Sequence, residues 1–402
     1  MRVSTGPTGE GPYRRRRRFA PLPMMLTAAL LAVALVSGCG GDQDSGQGAR
    51  EEARAAQGGQ EKPRGATTGG ETGMAEGGEK PEAVKALYVP GFVAEGEGLD
   101  GVLRLAEETE VNALVVDVKD AGVTTYPSEV PLAQEIGATS DRIPDLAAFV
   151  RGLKEKGVYP IARLAVFQDD VLPHARPDLA AIDATTGEPW LTYQGAAWAN
   201  PYREEAQRYN VEIAKEAAAA GFEEVQFDYV RFPSDGEMVN LAYGEETAPT
   251  QEDAIAGFLE YAHGELEPMG VEVSADVFGL VGMNDYVGVG QVVSKMAPHL
   301  DVLCPMVYPS HYPPGAYGYD NPDVYPYEIV DLAMADFGTK ARAVNPGIEI
   351  RPWLQDFDYL SEYEPADVEA QMKATEEAGL KGWILWNANA EYTTEVLKKV
   401  NG

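Results

Sequence analysis

The chain holds 402 residues, 45% hydrophobic and 24% charged, with two Cys and four His. That length is one large domain or two ordinary ones, and so few Cys and His exclude a disulfide scaffold or a Cys/His metal framework. The formal net charge of −32 repels phosphate backbones and anionic headgroups, which argues against nucleic-acid binding.

Residues 1–38 carry six Arg against one Glu, leaving 26 bases against 63 acids in the remainder. Arg14 to Arg18 form a basic run, and an apolar stretch from Leu22 to Val36 follows. It is too short and too cleanly bounded for an ordinary spanning helix. It ends Val36-Ser37-Gly38-Cys39, which resembles a bacterial lipobox. Residues 1–38 are then a lipoprotein signal peptide, and Cys39 is the lipidated first residue of an exported protein anchored to the outer face of the cell membrane. The alternative is an incidental Cys beside an ordinary cleavage site. Residues 39–82 turn to Gly, Glu, Gln, Ala and Thr without apolar periodicity, a composition that reads as a disordered tether spanning roughly 35 Å.

Residues 83–402 alternate strand and helix. Eight apolar runs stand out: Val84–Pro90, Ala113–Lys119, Tyr159–Phe167, Glu224–Phe232, Glu272–Leu280, Val302–Tyr308, Glu349–Phe357 and Gly382–Asn387. Helical patterns lie between them, among them Leu99–Glu110, Ile143–Lys156, Pro201–Ala220, Gln251–Leu266, Val287–Ala297, Tyr327–Phe337 and Pro365–Ala378. Gly157, Gly221, Gly270 and Gly379 close helices before the next strand, as helix C-terminal glycines do. Eight such units predict an α/β fold, a (β/α)8 TIM barrel. Pro90-Gly91-Phe92 after the first strand does not fit a phosphate loop.

Alternate residues of a barrel strand face inward, and those nearest the C-terminal end surround the active site. That parity puts Asp117 and Lys119 on one face of the second strand, Gln226 and Asp228 on one face of the fourth, and Ser274 and Asp276 on one face of the fifth. Arg163, Tyr308, Gln355 and Asn387 hold comparable late positions on the third, sixth, seventh and eighth strands. A purely structural barrel would place Val, Ile and Leu there, because an unpaired buried carboxylate is costly.

Asp117, Asp228 and Asp276 dominate the ionisable groups, with Arg163 and Arg231 as cations. Two carboxylates flanking a bond are the minimum for glycoside hydrolysis, and strands about 4.8 Å apart bring Asp228 and Asp276 toward the required separation. Trp190, Tyr193, Trp198, Tyr308, Tyr312, Tyr317, Tyr319 and Trp386 line the late loops and offer flat faces for sugars. The candidate catalytic residues are therefore Asp228, Asp276 and Asp117, with Asp117 more a positioning group than a reacting one. The candidate substrate contacts are Lys119, Arg163, Trp198, Arg231, Tyr308, Gln355, Trp386 and Asn387. Glu391 is a further acid candidate. No cofactor and no metal site is expected.

The segments Val115–Asp120, Gln226–Pro233, Ser274–Gly279 and Gly382–Ala388 resemble a bacterial family of glycoside hydrolases related to the alpha-amylase-type barrels. The resemblance covers the whole region after the tether. It implies a nucleophilic Asp at the end of strand four, which Asp228 matches, and a Glu acid at the end of strand five, where Asp276 stands. Gln226 occupies the place of the Arg that usually precedes the nucleophile. Chitinase-like barrels end strand four on a Glu acid, and Val230 stands there. The expected function is cleavage of a cell-envelope or extracellular polysaccharide. A carbohydrate-binding lipoprotein on a catalytically degenerate barrel is the alternative, and a metal-dependent hydrolase ranks third.

Overall fold

The computed structural model describes residues 80–244, 249–285 and 287–400. The leader at 1–38, Cys39 and the tether through residue 79 lie outside the described residues. Eight parallel strands form the barrel: β1 (Lys85–Val89), β2 (Ala113–Asp120), β3 (Tyr159–Ala165), β4 (Glu224–Asp228), β5 (Glu272–Phe278), β6 (Val302–Met306), β7 (Glu349–Ile350 and Trp353–Gln355) and β8 (Trp383–Trp386). Each pairs with the next, and β8 pairs with β1, so the sheet closes. The fold is a (β/α)8 TIM barrel.

Both faces of these strands are covered, which explains their near-continuous apolar runs. Leu114, Val116, Leu164, Phe227, Val273 and Leu303 belong to the layer between strands and helices. Ala86, Val115, Ile161, Val302, Cys304 and Trp353 fill the interior. Pro352 interrupts β7, because a proline has no N–H for the ladder.

The helices between successive strands include α1 (Glu97–Glu108), α2 (Leu146–Glu155), α3 (Glu204–Ala220), α4 (Gln251–Leu266), α5 (Val293–Met296), α6 (Pro326–Arg342) and α7 (Pro365–Glu377). Helix α2 starts later than its pattern predicts because the Asp145 carboxylate caps it, accepting from Ala148 N at 2.8 Å. Helix α5 is one turn where eleven residues were expected. Gly288 and Gly290 adopt φ of 74° and 76°, which unwinds the first half of that segment. Gly157, Gly221, Gly270 and Gly379 all take positive φ before a strand, as predicted. After β8 a single 3-10 turn, Thr394–Val396, stands among the described residues.

The N-terminal end of the barrel is sealed by charge. Arg351 Nη1 donates to both oxygens of Glu224 at 3.0 and 2.9 Å, with both side chains out of solvent. Its Nε donates to Glu349 Oε1 at 2.9 Å. Lys80 reaches this same end, 2.5 Å from Glu272 and 2.8 Å from Glu349, and Glu82 pairs with Lys381 at 2.5 Å. The last residues of the expected tether are thus held against the barrel, an attachment that composition alone does not reveal.

Candidate active site

The polar residues of β2 to β5 meet at the opposite, C-terminal end. Arg163 of β3 lies between two carboxylates: Nη1 donates to Asp117 Oδ1 at 2.5 Å, and Nη2 and Nε donate to Asp228 Oδ2 at 2.5 and 3.1 Å. Asp117 also accepts from the Tyr88 hydroxyl at 2.6 Å. Burial pushes the Asp117 carboxyl up to about 6 despite the Arg163 charge beside it.

Asp228 ends β4, and its Oδ1 accepts from the backbone N–H of Tyr229 at 2.6 Å. Tyr229 has φ of 50°, a left-handed conformation that costs a non-glycine residue roughly 1–2 kcal/mol. The turn that carries the chain out of β4 stores this strain directly behind the Asp228 carboxylate.

Asp276 lies across from Asp228 on β5, one step beyond the paired Phe227 and Ala275. It is 1% exposed, against 8% for Asp228. Its Oδ1 accepts from Trp353 Nε1 at 2.6 Å, and its Oδ2 is buried without a partner. Burial first, and then the Asp228 charge, hold this carboxyl well above the ordinary range. Asp276 therefore keeps its proton where an ordinary Asp has lost it.

Lys119 is not in this cluster. The β2–β3 register runs Asp117 to Arg163 and then Lys119 to Leu164, a bulge at Val118. The extra residue reverses parity and turns Lys119 outward. There its Nζ pairs with Asp169 at 2.8 Å, with both side chains fully buried, donates to Ala165 O at 2.8 Å, and lies 5.6 Å from the Tyr209 ring centre. Sequence alternation placed it in the pocket; the bulge makes it a buried scaffold cation.

The other expected contacts divide. Trp386 stacks on Tyr88 with ring centres 6.2 Å apart and planes at 16°, and Tyr308 leans on Trp386 at 5.9 Å. Together they form an aromatic wall beside the carboxylates. Gln355 is enclosed, accepting from Ser310 Oγ at 2.8 Å and donating to Phe357 O at 3.0 Å. Asn387 shapes its own turn, donating to Asp356 O at 2.7 Å and accepting from Asn389 N at 2.9 Å. Trp198 is buried, with the Arg231 guanidinium 4.8 Å over its ring. Glu391 is exposed on the last loop. Tyr88 and Trp353, which bond two of the three carboxylates, were not singled out from sequence; the same parity on β1 and β7 points to both. No group of three or more His, Cys, Asp or Glu among the described residues is arranged to hold a metal.

Residues 86–392 match the family model described as "Putative glycosyl hydrolase domain". The chain belongs to this family. A hypothetical protein from Ruminiclostridium thermocellum ATCC 27405 is 35% identical over 48% of this chain and 97% of its own, with a TM-score of 0.44. The PgaB (BpsB) glycoside hydrolase domain from Bordetella bronchiseptica shares the fold at 13% identity and a TM-score of 0.57, covering 79% of this chain and 99% of that one. The PelA glycoside hydrolase domain from Pseudomonas aeruginosa matches over 80% of this chain and 98% of its own, at 14% identity and a TM-score of 0.44. No curated protein matches this chain in sequence. Family membership makes this barrel a glycoside hydrolase.

Proposed function

We propose that the protein cleaves glycosidic bonds of a cell-envelope or extracellular polysaccharide, with Asp276 as general acid and Asp228 as the opposed carboxylate. The observation that carries this reading is the contrast between the two groups on adjacent strands. Asp276 is an enclosed carboxyl whose burial and neighbouring Asp228 charge favour the protonated form, while Asp228 is gripped by three N–H donors, two of them on a guanidinium. Environments that separate neighbouring carboxyl groups in this way assign acid and nucleophile or base. The Asp276 carboxyl protonates the leaving glycosidic oxygen, which requires binding of the sugar to uncover its sealed Oδ2. Asp228 attacks the anomeric carbon or takes a proton from the water that does. Arg163 fixes the Asp228 carboxylate and links it to Asp117, a positioning group. The shorter Asp arm, where alpha-amylase-type barrels carry Glu, accounts for how deep Asp276 lies. Trp386, half-buried against Tyr88 and Tyr308, offers an aromatic face to a sugar ring.

The N-terminal sequence supports export and lipid attachment at Cys39. Mass spectrometry of the mature N-terminus tests this, and Cys39→Ala is expected to leave the protein unacylated and soluble. The activity itself is tested by reducing-end release from a polysaccharide panel that includes peptidoglycan and α-glucans. Turnover abolished in Asp228→Asn with binding retained supports the reading. Binding without turnover in the unaltered protein overturns it.

A further inference from the structure

Three arginines lie in or beside the barrel with little exposure, and two of them have carboxylate partners. Arg163 holds Asp117 and Asp228, and Arg351 holds Glu224 and Glu349. Arg231 is 7% exposed and has no carboxylate within 4 Å among the described residues. It is held by aromatic faces, 4.4 Å from the ring centre of Phe278, 4.8 Å from Trp198 and 5.2 Å from Tyr229. Its hydrogen bonds within the protein all leave through Nη1, to Phe232 O at 3.0 Å and Ser234 Oγ at 3.5 Å. Nε and Nη2 have no acceptor, yet neither is among the sealed polar atoms. The side-on edge of the guanidinium therefore carries two donors that no protein acceptor satisfies and that are not fully enclosed.

The position of that edge matters. Arg231 follows Asp228 by three residues and rests on Phe278, two residues beyond Asp276. It thus occupies the rim between β4 and β5, at the end where the carboxylates meet. The chain has 64 acidic and 32 basic residues, so carboxylates for pairing are plentiful. Asp228 and Asp235 act on Arg231 only through space, and Asp228 is already committed to Arg163. A nearly buried cation without a counter-charge is costly. An Nε–Nη2 edge matches the two oxygens of a carboxylate in a paired, planar contact.

We propose that Arg231 receives the carboxylate of an acidic sugar bound beside Asp228, so that the substrate is a uronate-type, carboxylated polysaccharide. This rests on the glycoside hydrolase reading above and narrows its substrate. The aromatic cage holds the guanidinium plane in place before the substrate arrives. Against a strongly acidic body, Arg231 is the local cation that makes a carboxylated ring acceptable at this subsite.

The experiment pairs carboxylated polymers (polygalacturonate, alginate, hyaluronan) with their carboxyl-reduced forms, in the unaltered protein, Arg231→Gln and Arg231→Lys. At least one carboxylated polymer is expected to be cleaved with kcat/KM at least tenfold above its reduced form. In Arg231→Gln that ratio should collapse to within twofold. Arg231→Lys, which keeps the cation over the rings but loses the paired edge, should fall between and controls for folding. Preference for reduced or neutral polymers, or an equal loss on both forms in Arg231→Gln, overturns the proposal while leaving the hydrolase reading intact. Where none of these polymers is cleaved but peptidoglycan or an α-glucan is, the proposal fails and the hydrolase reading stands; where nothing in either panel is cleaved, the hydrolase reading fails, and affinity of Asp228→Asn for oligouronates against their reduced forms decides on Arg231. Equal affinity, or none, overturns it.

Discussion

Trp353 donates its indole N–H to one oxygen of Asp276, and the other oxygen of that carboxyl is enclosed with no partner. The bond favours the ionised form and opposes the burial that keeps Asp276 protonated. Removing it in Trp353→Phe should raise the pKa of the acid further. With Asp276 as general acid, activity falls as pH rises through that value, so the alkaline limb of kcat/KM should move upward by about half to one pH unit. An unmoved or acid-shifted limb would remove Asp276 from the acid role.

Asp228→Asn should lower kcat by at least about 10²–10⁴-fold, the usual range for a positioned acid, base or nucleophile, while KM changes little. Steady-state reducing-end assays read both constants. A change confined to KM would make Asp228 a binding group.

Asp117 carries a linkage signature. Its folded pKa of about 6 lies above the ordinary value of 3.8, so the folded state binds this proton more tightly than the unfolded chain. The favourable contribution is full below about pH 4 and is lost as pH rises through 6, a change of about 3 kcal/mol. Urea unfolding at steps from pH 4 to 7 should show this component in the unaltered protein and not in Asp117→Asn.

Lys119 separates the bulged geometry from the simple alternating one. Lys119→Met leaves Asp169 as a buried, unpaired carboxylate, and the expected loss is about 3–5 kcal/mol of stability. A variant that unfolds at the unaltered urea midpoint with a raised KM would return Lys119 to the pocket.

Arg351→Met should cost a similar ~3–5 kcal/mol, because Glu224 loses its partner inside the barrel. Arg351→Met combined with Glu224→Gln should recover much of that loss in the same urea assay, since no ion is then stranded.

The barrel was readable because parallel strands covered on both faces leave long apolar runs, four of them preceded by a helix-ending glycine. Parity along those runs also brought Asp117, Arg163, Asp228 and Asp276 to one end. It failed at Lys119 because a bulge is a backbone event that leaves no mark in the alternation of residue types. Gln355 and Asn387 look like ligand contacts by residue type and position, yet their polar atoms are committed to the loops they shape. The unsatisfied edge of Arg231 depends on which of its nitrogens the surrounding loops satisfy, and no spacing in the chain records that.

Lys80 is fastened at the end of the barrel where β5 and β7 begin, whereas the carboxylates sit where β2, β4 and β5 finish. Lys80 is therefore held on the side opposite the carboxylate cluster. The described residues that lead into β1 leave the carboxylate end of the barrel clear. A long glycan strand can then approach and leave from the free side without threading past the attachment.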